Sequence, residues 1–236
     1  MYNSPMTYLQ TIRHANAAYR DDWVIKRIKK YATTDSSSTV LDVGAGLSPY
    51  RKTVEALELK YFSQDFDMYL PSTSQSPGLQ NGEWNYPKHT FTCDVLDIPE
   101  TSTYDFIICT EVFEHVPDSV ALFKKLSVLT HPGGHILITV PFISLMHQSP
   151  FWFSSGLSPF WFEYWAEKLS LNICELEVSG DYVDMMGQEV ERLLAFKHPV
   201  RGLPRIAKLV PLFRGLLPTT VLQSGGFGTL CVLNKM

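Results

Sequence analysis

Apolar residues along this chain follow two alternating rhythms. Short runs in which most positions are apolar mark strands at Thr39–Val43, Leu59–Ser63, Thr90–Cys93, Phe106–Thr110 and His135–Val140. The run Phe106–Thr110 (FIICT) shows no polar alternation, so both of its faces need cover, as in a parallel sheet. Between the runs lie stretches with helical spacing. Pro49–Leu57 is one, its proline suited to a first turn. Ser119–Leu129 is another, with Leu122, Phe123, Leu126 and Leu129 on one side and Lys124 and Lys125 on the other. Beyond Pro132-Gly133-Gly134, read as a turn, the pattern predicts a helix over Ser158–Leu169 and a strand over Ile173–Val178. A helix over Met185–Phe196 and a closing strand over Gly225–Leu233 follow. Repeated strand–helix units of this length call for right-handed crossovers and a doubly wound α/β sheet.

Three stretches stand outside that alternation. In residues 1–38, Trp23, Ile25, Ile28 and Tyr31 recur among Lys26, Arg27, Lys29 and Lys30, and a Ser/Thr tract follows. This reads as a helical cap and linker with a solvated basic face, ahead of a main domain over 39–236. Residues 68–88, rich in Ser, Pro, Gly and Asn, read as a long irregular loop replacing a crossover helix. Residues 197–220 mix Arg201, Arg205, Lys208 and Arg214 with many apolar side chains and four prolines. That mixture suits a lid or edge packed on the domain, or a peripheral membrane contact through 199–218.

Composition narrows the field. The 236 residues carry a formal net charge of -4, which supplies no global basic field, so no nucleic-acid partner is expected. Cys93, Cys109, Cys174 and Cys231 form no CxxC pair, and three of them lie in strand-like runs, as reduced structural thiols do. With no leader-like start and no apolar stretch of membrane-spanning length, the expected compartment is the cytoplasm.

The chemistry concentrates at strand ends. After the first strand comes Gly44-Ala45-Gly46-Leu47-Ser48-Pro49, where a parallel sheet binds ligands and glycines let the backbone turn sharply. A dinucleotide fingerprint needs a third glycine where Pro49 stands. S-adenosylmethionine (SAM) instead needs acids for its ammonium group and ribose hydroxyls. Asp42 ends the first strand, Asp65 follows the second with two acceptor oxygens, and Asp94 follows the third with the Val95 amide beside it.

Five segments in this order, VLDVGAG (Val40–Gly46), YFSQDF (Tyr61–Phe66), CDVLDIP (Cys93–Pro99), YDFIICTEVFEHVPD (Tyr104–Asp118) and PGGHILITVPF (Pro132–Phe142), resemble the class I SAM-dependent methyltransferases. The resemblance implies a Rossmann-like, mostly parallel sheet with an antiparallel terminal strand. It also implies SAM as cofactor: Asp42 and Gly44 at the methionine end with Gly46 in the same loop, Asp65 on the ribose, Asp94 and Val95 on the adenine, and Thr110 near the sulfonium. Ser48 departs from the pattern, standing where many members have glycine.

Glu111, Glu114 and His115 are spaced to share one side of a helical turn, and His147 follows the fifth strand. Three readings stand open. The cluster shapes the SAM pocket; or His115 or His147, with Glu114 beside them, is the general base for an acceptor hydroxyl; or the two carboxylates and a histidine hold a divalent metal. The last spacing is similar to that of small-RNA and ubiquinone-pathway methyltransferases. Of the many aromatics after the fifth strand, Phe151, Trp152 and Phe153 are the candidates for an acceptor pocket, whereas Phe162, Trp165 and Leu169 suit helix packing. A loose similarity to bacterial surface-polysaccharide methyltransferases makes a small molecule, foremost a sugar or glycan precursor, the expected acceptor. An aromatic or quinone-type acceptor and a non-catalytic SAM-binding module are the alternatives.

Overall fold

A computed structural model describes residues 5–32, 35, 37–69, 86–195 and 209–236. Most of the expected loop (70–85) and half of the basic-apolar stretch (197–208) lie outside the described residues. The apolar runs become strands β1 (Thr39–Val43), β2 (Lys60–Asp65), β3 (Phe91–Thr92), β4 (Tyr104–Thr110), β5 (Thr130–Pro141), β6 (Leu171–Ser179) and β7 (Gly228–Lys235). The helices are α1 (Pro5–Tyr31), α2 (Arg51–Glu55), α3 (Ser119–Leu129), α4 (Pro159–Lys168), α5 (Tyr182–Ala195) and the single turn α6 (Thr219–Leu222).

One sheet runs in the order β3-β2-β1-β4-β5-β7-β6. β1 pairs in parallel with β2 on one side and β4 on the other, while β7 pairs antiparallel with both β5 and β6. This is the mostly parallel α/β sheet with an antiparallel last strand that the motifs implied. Connections turn in opposite directions on either side of β1 and β4, so a crevice opens above their carboxyl ends.

Period-two alternation explains why the strands are apolar throughout. Leu41, Val43, Ile107, Cys109, Ile136 and Ile138 meet Leu122, Phe123 and Leu126 of α3 and Phe162 of α4 on one face. Val40, Phe106, Ile108, Leu137 and Val232 meet Trp23, Val24 and Ile28 of α1 and Val54 of α2 on the other. A fully buried Trp, Leu or Ile contributes about 1.5–3 kcal/mol, so the seat of α1 on the sheet is firmly held. Two residues of the expected basic face are tied to the sheet: half-buried Arg27 and exposed Lys30 both pair with Glu175 of β6.

Some boundaries differ from the sequence pattern. Asp65 is the last residue of β2 and does not follow it, and β3 contracts to two paired residues. Pro132-Gly133-Gly134 is a bulge and not a turn between elements. Tyr104 pairs with Thr130 and Phe106 with His135, so four residues are displaced from the ladder. Gly133 takes φ 84° there, and Asn234 Nδ2 donates to the carbonyls of Gly133 and Gly134, so the displaced backbone keeps partners. Cys109 and Cys231 are buried and all four thiols are free. Among the described residues no helix is long and apolar enough to cross a membrane.

Candidate cofactor and acceptor site

Above the carboxyl ends of β1 and β4 lies a cavity of about 590 Å³. Six of the seven residues expected to bind cofactor line it: Gly44, Gly46, Asp65, Asp94, Val95 and Thr110. Gly44 takes φ +62°, and a Cβ there would overlap Val112, so both backbone conformation and space require glycine. The loop is tied to β2: Gln64 Oε1 accepts from the Gly44 N–H at 3.2 Å, and the Gln64 carbonyl accepts from Ala45 N–H at 2.9 Å. Gln64 Nε2 also donates to the Cys93 carbonyl at 2.7 Å, locking the ends of three strands together.

Asp65 accepts from the Gly46 N–H at 2.8 Å through Oδ2 and from the Asp67 N–H at 3.1 Å through Oδ1. Each oxygen keeps a second lone pair, and the carboxylate sits on the cavity wall with its rotamer fixed. Asp94 caps the 3-10 turn Val95–Asp97 by accepting from Leu96 N–H, and it also lines the cavity.

Asp42 behaves differently. It points to the α1 face of β1, is buried, and its Oδ2 accepts from the Tyr61 hydroxyl at 2.6 Å. Burial pushes its pKa up to about 7 although the Tyr61 hydrogen bond opposes this. It does not line the cavity, since even-numbered side chains of β1 face away from the α3 side, toward α1. A cation that the sequence pattern did not single out reaches the cavity from α1. Arg20 lines it, with Nη1 3.5 Å from Glu111 Oε2. Tyr50 lies beside it and donates to Asp21.

The segment after β4 departs from the expected helical turn. Glu111 takes φ 56°, and the 3-10 turn Phe113–His115 begins two residues later. This separates Glu111 from Glu114. The left-handed backbone of Glu111 is held by its N–H to the Thr139 carbonyl, and its side chain accepts from Thr139 Oγ1 and faces Arg20.

Glu114, His115 and His147 converge instead. Their potential ligand atoms all lie within 4.8 Å of one another. The Glu114 side chain is fully buried, and neither of its oxygens has a hydrogen-bond partner. His115 Nε2 lies 3.7 Å from Glu114 Oε1 and His147 Nε2 lies 3.9 Å from the same oxygen. The Nδ1 atoms point the other way, His115 onto the Phe151 carbonyl and His147 onto the Leu145 carbonyl at 2.9 Å. A carbonyl only accepts, so each Nδ1 donates and each Nε2 is the ring nitrogen turned toward Glu114.

Burial holds the Glu114 pKa well above the usual carboxylate range, and the nearby Glu111 charge adds to the effect. Burial also lowers His115 to about 4, with His147 acting in the same direction. Three potential ligand groups thus meet around a carboxyl whose raised pKa favours its protonated form. Of the three, His115 lines the cavity and Glu114 and His147 do not. Of the aromatics expected at an acceptor pocket, Phe151 and Phe153 line the cavity and Trp152 does not. Phe66 meets Phe151 edge to face at 4.9 Å and completes an apolar wall.

A family model described as a methyltransferase domain matches residues 13–171, and the chain belongs to that family. Two curated relatives are ubiquinone biosynthesis O-methyltransferases. That of Leptothrix cholodnii is 25% identical over 47% of this chain and 45% of its own length. That of Xanthomonas oryzae pv. oryzae is 26% identical over 60% of this chain and 54% of its own length. The chain thus spans about half the length of the curated relatives it matches. Among solved structures, a SAM-dependent methyltransferase from Archaeoglobus fulgidus shares the fold with a TM-score of 0.54. It is 14% identical, over 91% of this chain and 94% of that one.

Proposed function

We propose that this methyltransferase transfers the SAM methyl group to a hydroxyl of a small ring-bearing acceptor, and that Glu114, His115 and His147 form the seat of a divalent cation beside that hydroxyl. The observation that carries this reading is the buried Glu114, neither of its oxygens hydrogen-bonded, facing the Nε2 atoms of two imidazoles. Buried acceptors without donors are costly, about 1–3 kcal/mol each, unless something positive completes them.

Asp65 takes the ribose hydroxyls, Asp94 and the Val95 amide take the adenine edge, and Gly44 and Gly46 let the backbone approach the methionine end. Arg20 offers the cation for the methionine carboxylate. Thr110 borders the sulfonium. Asp42, set back against Tyr61, supports the glycine loop from below. SAM supplies an electrophilic methyl carbon, and the protein's share is holding the acceptor oxygen in line with it in a water-poor site. A divalent cation supplies Lewis-acid polarisation of that oxygen when bound.

Of the acceptor classes raised by the sequence, the site favours a phenolic, quinone-type ring over a sugar or glycan precursor. Phe66, Phe151, Phe153, Val112 and Val116 form an apolar slot suited to a flat ring. The ubiquinone biosynthesis O-methyltransferases similar to this chain point the same way. Exposed Leu209, Leu212, Phe213 and Leu216 support a further part of the reading, in which a membrane-borne acceptor is met through the 199–218 stretch. Sedimentation with anionic vesicles tests that part.

The principal experiment presents catechols, hydroquinones and sugar nucleotides to the enzyme with labelled SAM, with and without chelator. Catechol methylation that stops on chelation supports the proposal. A second reading rests on His115 being the cluster residue that faces the cavity: its neutral Nε2 takes the hydroxyl proton directly. Turnover that survives chelation but is lost in His115→Ala selects that reading. SAM binding with no turnover on any acceptor contradicts both.

A further inference from the structure

Beside the ribose acid Asp65 lie two side chains with unsatisfied buried atoms, Asp67 and His89, that the methyl-transfer chemistry does not use. Asp65 closes β2, Asp67 follows in a left-handed conformation at φ 55°, and His89 precedes β3. The His89 side chain is fully buried, with Nδ1 3.2 Å from Ser63 Oγ. Its Nε2 has no partner and lies 3.5 Å from Asp67 Oδ1, an oxygen that is itself buried without a partner. An Asp65 oxygen completes the triangle, all three ligand atoms lying within 4.8 Å of one another.

We infer that Asp65, Asp67 and His89 form a divalent-cation site, separate from the one at Glu114. At 3.5 Å the His89–Asp67 pair is too long for a good hydrogen bond, yet both atoms have given up water. Two ligands of one transition-metal ion, each about 2.0–2.2 Å from it, lie roughly 3–4.4 Å apart, so small side-chain shifts close the triangle. Two carboxylate oxygens and one imidazole suit a borderline ion of the Mn2+ to Zn2+ series. Backbone N–H groups already hold Asp65, and the β2–β3 pairing holds His89 close by.

The site has a consequence for the cofactor, which rests on the assignment of Asp65 to the ribose. An ion on Asp65 draws charge from the oxygens that accept the ribose hydroxyls, so cation and SAM oppose one another, each weakening the other by the same factor. The group thereby makes cofactor affinity sensitive to free metal.

The test uses the full chain carrying Glu114→Gln and His147→Ala, which disables the other seat. Zn2+ and then Mn2+ are titrated calorimetrically. The expected result is one equivalent of Zn2+ bound, weakened at least tenfold by Asp67→Asn and by His89→Ala. Asp67→Asn is isosteric and partly exposed, so it remains informative where the buried His89→Ala does not fold. The SAM dissociation constant rises with Zn2+ in the parent and stays flat in Asp67→Asn. No Zn2+ or Mn2+ binding in the parent, or binding indifferent to Asp67→Asn, overturns the site. Binding that is lost with Asp67→Asn while SAM affinity ignores Zn2+ upholds the site and contradicts the ribose assignment.

Discussion

Two glutamates in this molecule show opposite solutions to the same problem. Glu175, on β6, is surrounded by donors: Arg27 Nη2 at 2.8 Å, Lys30 Nζ at 2.7 Å and the Tyr31 hydroxyl at 2.7 Å. Partial burial pushes its pKa up, but the hydrogen bonds from Lys30, Tyr31 and Arg27 prevail and leave it at about 2. Glu114 is fully buried, has no donor, and is pushed the other way. The first carboxylate fastens α1 to the sheet. The second stabilises nothing in the bare protein, and unsatisfied groups of that kind gather where chemistry is done. What separates them is the company each keeps, since the residue type is the same.

The contrast is sharpened most by Glu114→Gln. It should lower turnover at least a hundredfold, the scale of a lost acid–base or metal-holding group, while SAM affinity measured by calorimetry stays within a few-fold. Near-normal turnover would place Glu114 with Glu175 among structural residues. Asp65→Ala comes next. Losing hydrogen bonds to a charged acceptor, each worth about 1.5–3 kcal/mol, should weaken SAM binding at least tenfold in the same calorimetric assay. Turnover should largely recover at saturating SAM, unlike the Glu114 defect.

Glu175→Gln should behave oppositely to Glu114→Gln. Chemical denaturation is expected to show a loss of about 1–2 kcal/mol, tempered by partial solvent exposure, with turnover unchanged. The smallest effects are in pH dependence. Glu175 has a folded pKa below its unfolded value, so its contribution is present above about pH 4.5 and is lost as pH falls toward 2. Glu114 has a raised folded pKa, so its contribution is full at low pH and declines as pH rises above about 4.5. Denaturation midpoints taken across pH in chelator should lose the first slope in Glu175→Gln and the second in Glu114→Gln.

Much of the architecture was legible because the sheet is covered on both faces, so its strands read as near-continuous apolar runs. The glycine loop was legible because Gly44 meets a steric demand that no other residue meets. Other features depended on three-dimensional proximity that spacing does not encode. Arg20 falls within the stretch expected as a helical cap and carries no signal of its own there; the seating of Trp23, Val24 and Ile28 on the sheet brings its side chain to the cavity. Glu111 appeared to belong with Glu114 under helical spacing. Its positive φ ends that periodicity and hands it to Thr139 and Arg20. His147 could be named but not located, since its approach to Glu114 depends on the fold of the 141–158 segment, where Phe153 and Ser154 donate to the Glu114 carbonyl. Asp42 shows the reverse case, a motif acid whose strand parity turns it to the α1 side.

The most direct test of the account is an anomalous difference map from a crystal of the unsubstituted chain soaked in Mn2+. The account predicts a peak within coordination distance of a Glu114 oxygen and of both Nε2 atoms of His115 and His147. Fully soaked crystals with no peak there, and Glu114 still without a partner, would contradict it.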